Sequence, residues 1–293
     1  MKQEVVTALA VSLAASVALL SACSTDSPTG VQSGDANAVA LSRAGYNQAG
    51  AHRQYGTPVK VGNGMARAYV VADAAHGQAP LELGIALSAG ALDALPTDGM
   101  HMYLLPLPKL APRPYQLVEL DWNPVGHPPE GVYTFPHFDF HFYFISLAER
   151  NAIVPSDPNY AAEADNLPTG AFVPSLYAPL AGPGQTPADV AVPMMGLHWE
   201  DLTSPELQNL LGNPSAYQQF TRTFIYGSWN GQFIFVEPMI TRAFLLSKPD
   251  VSAPVRVPQQ YPTVGYFPTS YRVTYDAQAG EYRVALTGMV ERN

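Results

Sequence analysis

Cysteine is almost absent from this chain. Cys23 is the single one in 293 residues. Disulfides within the chain, iron–sulfur clusters and thiolate zinc sites all need several cysteines and are excluded. Any metal must be held by His, Asp or Glu. Positive charge is also scarce: 15 Lys and Arg stand against 24 Asp and Glu, for a net charge of −9. No Lys/Arg cluster occurs anywhere, which argues against nucleic acid as a partner, because phosphate binding needs clustered cations. Charged residues of all kinds make up only 13%, whereas Pro (28), Tyr (16) and Phe (12) are plentiful. That balance favours turns, loops and strands over long charged helices. Familiar catalytic signatures are missing too. There is no Gly-x-Ser-x-Gly elbow, no Walker A loop, no Gly-x-Gly-x-x-Gly after a strand and no His-Glu-x-x-His helix.

Long apolar runs are nearly absent as well. Residues 5–20 form one of 16 residues without a charge. As a helix this run reaches roughly 24 Å, short of the ~30 Å hydrocarbon core of a bilayer. It reads as the core of a signal peptide over residues 1–22. Leu20-Ser21-Ala22-Cys23 then matches a bacterial lipobox, which makes Cys23 the lipidated N-terminus and the membrane a partner through that lipid. Ser24 in place of Asp leans toward the outer membrane, facing the periplasm, in a Gram-negative host. Residues 23–50 are rich in Ser, Thr, Gly, Ala, Asp and Asn and read as a flexible tether. The rest, 51–293, reads as one domain of mainly β class. An antiparallel sandwich or distorted barrel is expected, with one or two short helices and a long Pro/Gly-rich loop over 151–195.

Several segments carry this expectation. Strands are predicted at 59–61, 66–71, 81–87, 102–107, 117–122, 132–145, 233–236 and 239–245, with a closing hairpin of 271–275 and 282–287. Ser204-Pro205-Glu206 signals a helix start, and a weaker helix is read over 216–224. The loop at 151–195 has the length of a lid, a binding loop or an arm.

The densest chemistry lies in Pro136-His137-Phe138-Asp139-Phe140-His141-Phe142-Tyr143. Side chains alternate along a strand, so His137, Asp139, His141 and Tyr143 share one face and the three phenylalanines the other. Neighbours two apart have α-carbons ~6.6 Å apart and those four apart ~13 Å, so His137 and His141 hardly share one ion. Asp139 is the pivot. Further donors come from His127 and Glu130 in the preceding turn, from His198, and from Glu237 beside Pro238. His101 is a weaker candidate. Imidazole with carboxylate suits zinc, manganese or iron. In that reading His127, His137, Asp139, His141 and His198 are ligands, and Glu130 or Glu237 is a ligand or general base of a metal-dependent hydrolase. The alternative is a structural His-Asp-His hydrogen-bond network in a non-catalytic envelope binding or scaffold protein. A small-molecule ligand and a homo-oligomer are compatible with either.

These motifs, with Asp121-Trp122-Asn123-Pro124-Val125-Gly126-His127, Met195-Gly196-Leu197-His198-Trp199 and Glu237-Pro238-Met239-Ile240-Thr241-Arg242-Ala243-Phe244, resemble a family of exported bacterial proteins of uncharacterised function. The resemblance covers roughly residues 55–290. It implies a single domain and groups His127, His137, Asp139, His141, His198 and Glu237, without implying a substrate.

Overall fold

A computed structural model describes residues 51–292. The signal peptide, Cys23 and the tether read from the sequence lie outside the described residues. Strand-forming runs rich in Val, Tyr, Phe and Thr organise into two seven-stranded antiparallel sheets and a small ribbon. In chain order the strands are β1 (Ala51–Tyr55), β2 (Val59–Val61), β3 (Gly64–Asp73), β4 (Ala79–Ser88), β5 (His101–Leu105), β6 (Leu117–Asn123), β7 (His137–Tyr143) and β8 (Tyr177–Ala178). They continue with β9 (Leu197–Asp201), β10 (Arg222–Trp229), β11 (Gln232–Thr241), β12 (Asp250–Pro254), β13 (Gly265–Phe267), β14 (Ser270–Asp276), β15 (Glu281–Thr287) and β16 (Val290–Arg292). Among the described residues four short helices join them: α1 (Leu147–Ala152), α2 (Tyr160–Asp165), α3 (Pro187–Val190) and α4 (Arg242–Leu246).

The first sheet runs β1-β3-β4-β15-β14-β12, with β2 paired to β3. The second runs β5-β6-β7-β11-β10-β9-β8. Their facing sides share one apolar core. Val70, Leu83, Ile85, Val273, Val284 and Leu286 come from the first sheet, and Val118, Leu120, Phe138, Phe140, Phe142, Val236 and Ile240 from the second. The architecture is a sandwich and no barrel closes.

The outer face of the second sheet is not left to water. Val132 and Tyr133 from the β6–β7 connection and Leu207 and Phe220 from the β9–β10 connection pack with Ile225 and Met239. Ile153, Tyr160 and Met195 pack over Tyr143, Ile234 and Phe235. The long segment 151–195 therefore contributes to this cover and contains α2 and α3. Those buried contacts and helices are what its low periodicity concealed.

Four expectations change. Residues 132–136 do not join β7, because Val132 and Tyr133 turn back onto the cover. The stretch 216–224 is not a helix. It ends in β10, where β-branched and aromatic residues alternate between the core and the outer face. The start at Ser204 yields only a 3-10 turn, Pro205–Leu207. Residues 233–241 form one strand that passes through Pro238, so Glu237 sits inside β11 rather than at a strand end.

Candidate metal centre

Strand alternation places the chemistry. On β7, Phe138, Phe140 and Phe142 enter the core, so His137, Asp139 and His141 face the covered side, all 3% exposed or less. The same alternation on β6 sends Glu119, Asp121 and Asn123 to that side, opposite His141, Asp139 and His137 in register. On the other flank, β11 lays Glu237 in the row between Phe235, opposite Tyr143, and Met239, opposite Asp139. From β9, His198 lies opposite Gly227 of β10.

Two groups of ligand atoms result. In the first, His137 Nε2 lies 3.0 Å from Asp139 Oδ1, and His127 Nε2 lies 3.6 Å from Asp139 Oδ2. In the second, Glu237 Oε2 lies 3.2 Å from His141 Nε2 and 3.7 Å from His198 Nε2. Both groups are two histidines and one carboxylate, with their ligand atoms within 4.8 Å of one another. Two ligands each ~2.1 Å from a tetrahedral ion lie about 3.4 Å apart, the same range as these contacts. A third group, Glu119, Asp121 and His141, shares its histidine with the second. There Asp121 Oδ2 faces His141 Nδ1 at 3.4 Å.

Tautomers sharpen the first group. His137 Nδ1 lies 2.6 Å from the Phe135 carbonyl and His127 Nδ1 lies 2.7 Å from the Pro128 carbonyl. A carbonyl only accepts, so each Nδ1 carries the hydrogen and each Nε2 is turned to Asp139. Locking of one imidazole nitrogen on a backbone carbonyl is the usual support of a metal-binding histidine. Asn123 Nδ2 donates to Asp139 Oδ2 at 2.6 Å and fixes the carboxylate. Yet His137 Nε2, Asp139 Oδ1, both ring nitrogens of His141, both oxygens of Asp121 and Glu237 Oε2 are buried without a hydrogen-bond partner. Buried polar atoms are ordinarily paired, and here the exceptions converge on one another. The donor set could hold a divalent ion.

Neighbouring groups set the charges. Burial disfavours the charged form of His127, but Asp139 outweighs it and raises the imidazole to about 9. Burial likewise opposes charge on His141, where Glu237, Asp121 and Glu119 prevail and lift it to about 10. His198 goes the other way, lowered to about 4 by burial beside cationic neighbours that outweigh Glu237. Burial and Glu237 push Glu200 up to about 8. Asp139 is held well below the carboxylate range: burial acts against this, but His137 and His127 outweigh it. Asp121 is pushed well up by burial.

Local devices hold the ligands. Gly126, at φ +73°, turns the chain ahead of His127, and a Cβ there would meet the Tyr133 carbonyl oxygen at 2.0 Å. Phe235 packs edge-on against His141 and His198, with ring centroids 4.9 and 5.6 Å away. Gly227 makes room for it, since a Cβ would sit 2.0 Å from that ring. Arg150, delivered by α1 behind the Ser146 and Glu149 capping box, pairs with buried Glu119. Solvent approaches each group at one histidine: the side chains of His127 and His198 are 34% and 20% exposed.

Of the sequence candidates, His127, His137 and Asp139 come together, and His141, His198 and Glu237 come together separately. Glu130 is exposed and belongs to none of the three groups. His101 bonds locally to Asp98 and is outside them as well. Glu119 and Asp121 were not anticipated, although the Val-Glu-Leu-Asp-Trp-Asn alternation of β6 carries the needed signal. Arg150 was not anticipated either, and the Ser-x-x-Glu pattern at 146–149 marks only the start of its helix.

Comparison with known proteins adds little. Residues 77–122 are similar to a family model described as TTHB210-like, hypothetical protein TTHB210. This stretch spans β4, β5 and most of β6, with Glu119 and Asp121 inside it. No curated protein and no solved structure matches the chain.

Proposed function

We propose that this chain is a divalent-metal-binding protein, tethered to a bacterial envelope membrane through lipid on Cys23, with metal-dependent hydrolysis as its chemistry. One observation carries the metal reading. His127 and His137 each spend Nδ1 on a backbone carbonyl and turn Nε2 to a single carboxylate, Asp139. His127, His137 and Asp139 hold one ion, and His141, His198 and Glu237 a second, with Asp121 behind His141. Zinc, manganese or iron suits such nitrogen and oxygen donors. A bound ion of this kind makes a coordinated water acidic enough to attack an ester, amide or phosphate. Hydrolysis is favoured over a closed structural site because each group has three protein ligands and a solvent-facing histidine. His127 and His198 guard that approach, while Asn123 and Asp121 orient the buried members.

Elemental analysis of protein expressed with zinc, manganese and iron supplied tests the reading. Two ions per chain are expected, with the first lost in Asp139→Asn and the second in Glu237→Gln. Metal-free wild-type protein, with both variants folded and merely less stable, overturns it and leaves the structural network of a scaffold protein. Labelled palmitate incorporated by the wild type and not by Cys23→Ala supports the anchor. Equal labelling of both sinks it.

A further inference from the structure

Away from the histidines, a cavity of about 760 Å³ opens at one end of the apolar core. Its volume lies inside the ~300–1,000 Å³ typical of small-molecule sites. The walls are aromatic: Tyr115, Phe144, Tyr226, Phe233, Tyr261 and Phe267 all line it. Tyr261 and Phe267 stack at 3.6 Å between ring centroids, forming a flat wall beside the ribbon strand β13. Tyr115 packs edge-on against Phe142 and Phe144, which joins the opposite wall to the core.

Two features mark this space, a hydroxyl sealed within its wall and a cation at its surface. Tyr115 is 5% exposed, and its hydroxyl is buried without a hydrogen-bond partner. A buried hydroxyl of this kind costs stability unless something accepts from it. Burial also pushes its ionisation well above the ordinary phenol range, so it stays a donor. Arg113, two residues earlier and exposed, is the one charged side chain among the lining residues, in a chain of net charge −9. Gln116, Gln232, Gln260 and Thr263 also line the cavity, but no acid does, so largely aromatic walls with one cation describe the complement of a single-headed anion with an apolar tail.

We infer that this cavity binds a long-chain carboxylate of the fatty-acid class, the tail lying among the aromatic rings and the head meeting Arg113. The site is separate from the histidine cluster and does not rest on the metal reading. The chemistry requires no reaction, only transfer of methylenes out of water.

A chain-length series tests it on the full chain, confirmed folded by its thermal transition. Octanoate, decanoate, laurate and myristate, below their micellar concentrations, displace 1-anilinonaphthalene-8-sulfonate from the protein. Affinity is expected to rise roughly threefold to fourfold per methylene, levelling once the tail fills the space. Arg113→Gln should weaken laurate about fivefold or more and leave dodecanol unchanged, since only the carboxylate meets the guanidinium. Val264→Trp, at an exposed lining position, should reduce binding of the whole series. The inference is overturned if no member of the series displaces the dye, if affinity is flat with chain length, or if Arg113→Gln treats laurate and dodecanol alike.

Discussion

At the scale of single residues, the candidate centre depends on residues that touch no ion. Gly227 is one: its missing Cβ is the space that Phe235 occupies against His141 and His198. Gly227→Ala forces that ring to move, and overpacking of this kind costs about 1–3 kcal/mol. Chemical denaturation should show the loss, together with weaker retention of the ion held by His198. Arg150 is the other. It is 3% exposed and pairs with Glu119, 1% exposed. Arg150→Ala leaves a buried carboxylate uncompensated, at about 3–5 kcal/mol. Arg150→Ala with Glu119→Gln should recover part of that loss, and a double-mutant cycle measures how much. If Arg150→Ala is as stable as the wild type, the pair is not the counter-charge argued for.

At the scale of elements, the second sheet works because its two faces have different tasks. Phe138, Phe140 and Phe142 anchor β7 in the core, and that anchoring fixes where His137, Asp139 and His141 point. The sequence made this legible, because an alternation of phenylalanine with ionisable groups has one arrangement on a strand. The ~13 Å reach between His137 and His141 also anticipated that they would serve separate groups. What remained hidden was strand order. Nothing local in Leu-Val-Glu-Leu-Asp-Trp-Asn or in Phe-Ile-Phe-Val-Glu-Pro says that β6 and β11 flank β7, so the register bringing Asp121 and Glu237 to His141 is long-range information. Residues 216–224 misled for a related reason, since residues 222–224 belong to β10 and its pairing with β11 is long-range information too. Because the two groups draw on different strands, they should empty independently. His127→Ala is expected to remove one ion per chain and His198→Ala the other, read by elemental analysis. Loss of both ions in either variant would mean a single coupled centre.

At the scale of the whole molecule, stability should depend on pH and on metal together. His141 in the metal-free fold has its pKa raised to about 10, above the ordinary 6.5. Its contribution is therefore complete below pH 6.5 and is lost as pH rises through 10. Glu200, raised from 4.5 to about 8, acts in the same direction: the fold prefers its neutral form, and the preference is lost as pH rises through 8. The thermal midpoint of chelator-treated protein should fall from pH 6.5 to pH 9. With metal the slope should flatten, because an ion replaces the proton on His141 and binding strengthens as protons leave. Equal slopes with and without metal would show that His141 does not meet the ion.

One irregularity in the sheet has a mechanical consequence. The β7–β11 register covers Tyr143 and Phe142 against Phe235 and Val236, then resumes only at Asp139 against Met239. Pro238 lies in the skipped stretch and has no amide hydrogen to offer a neighbouring strand. The zip thus misses two teeth beside Glu237 and His141. Those two side chains can close on a cation by a small local give, while the laced backbone on either side holds still. Amide exchange across β7 should accordingly slow most around Phe140 and His141 when metal is added, and hardly change at either end of the strand.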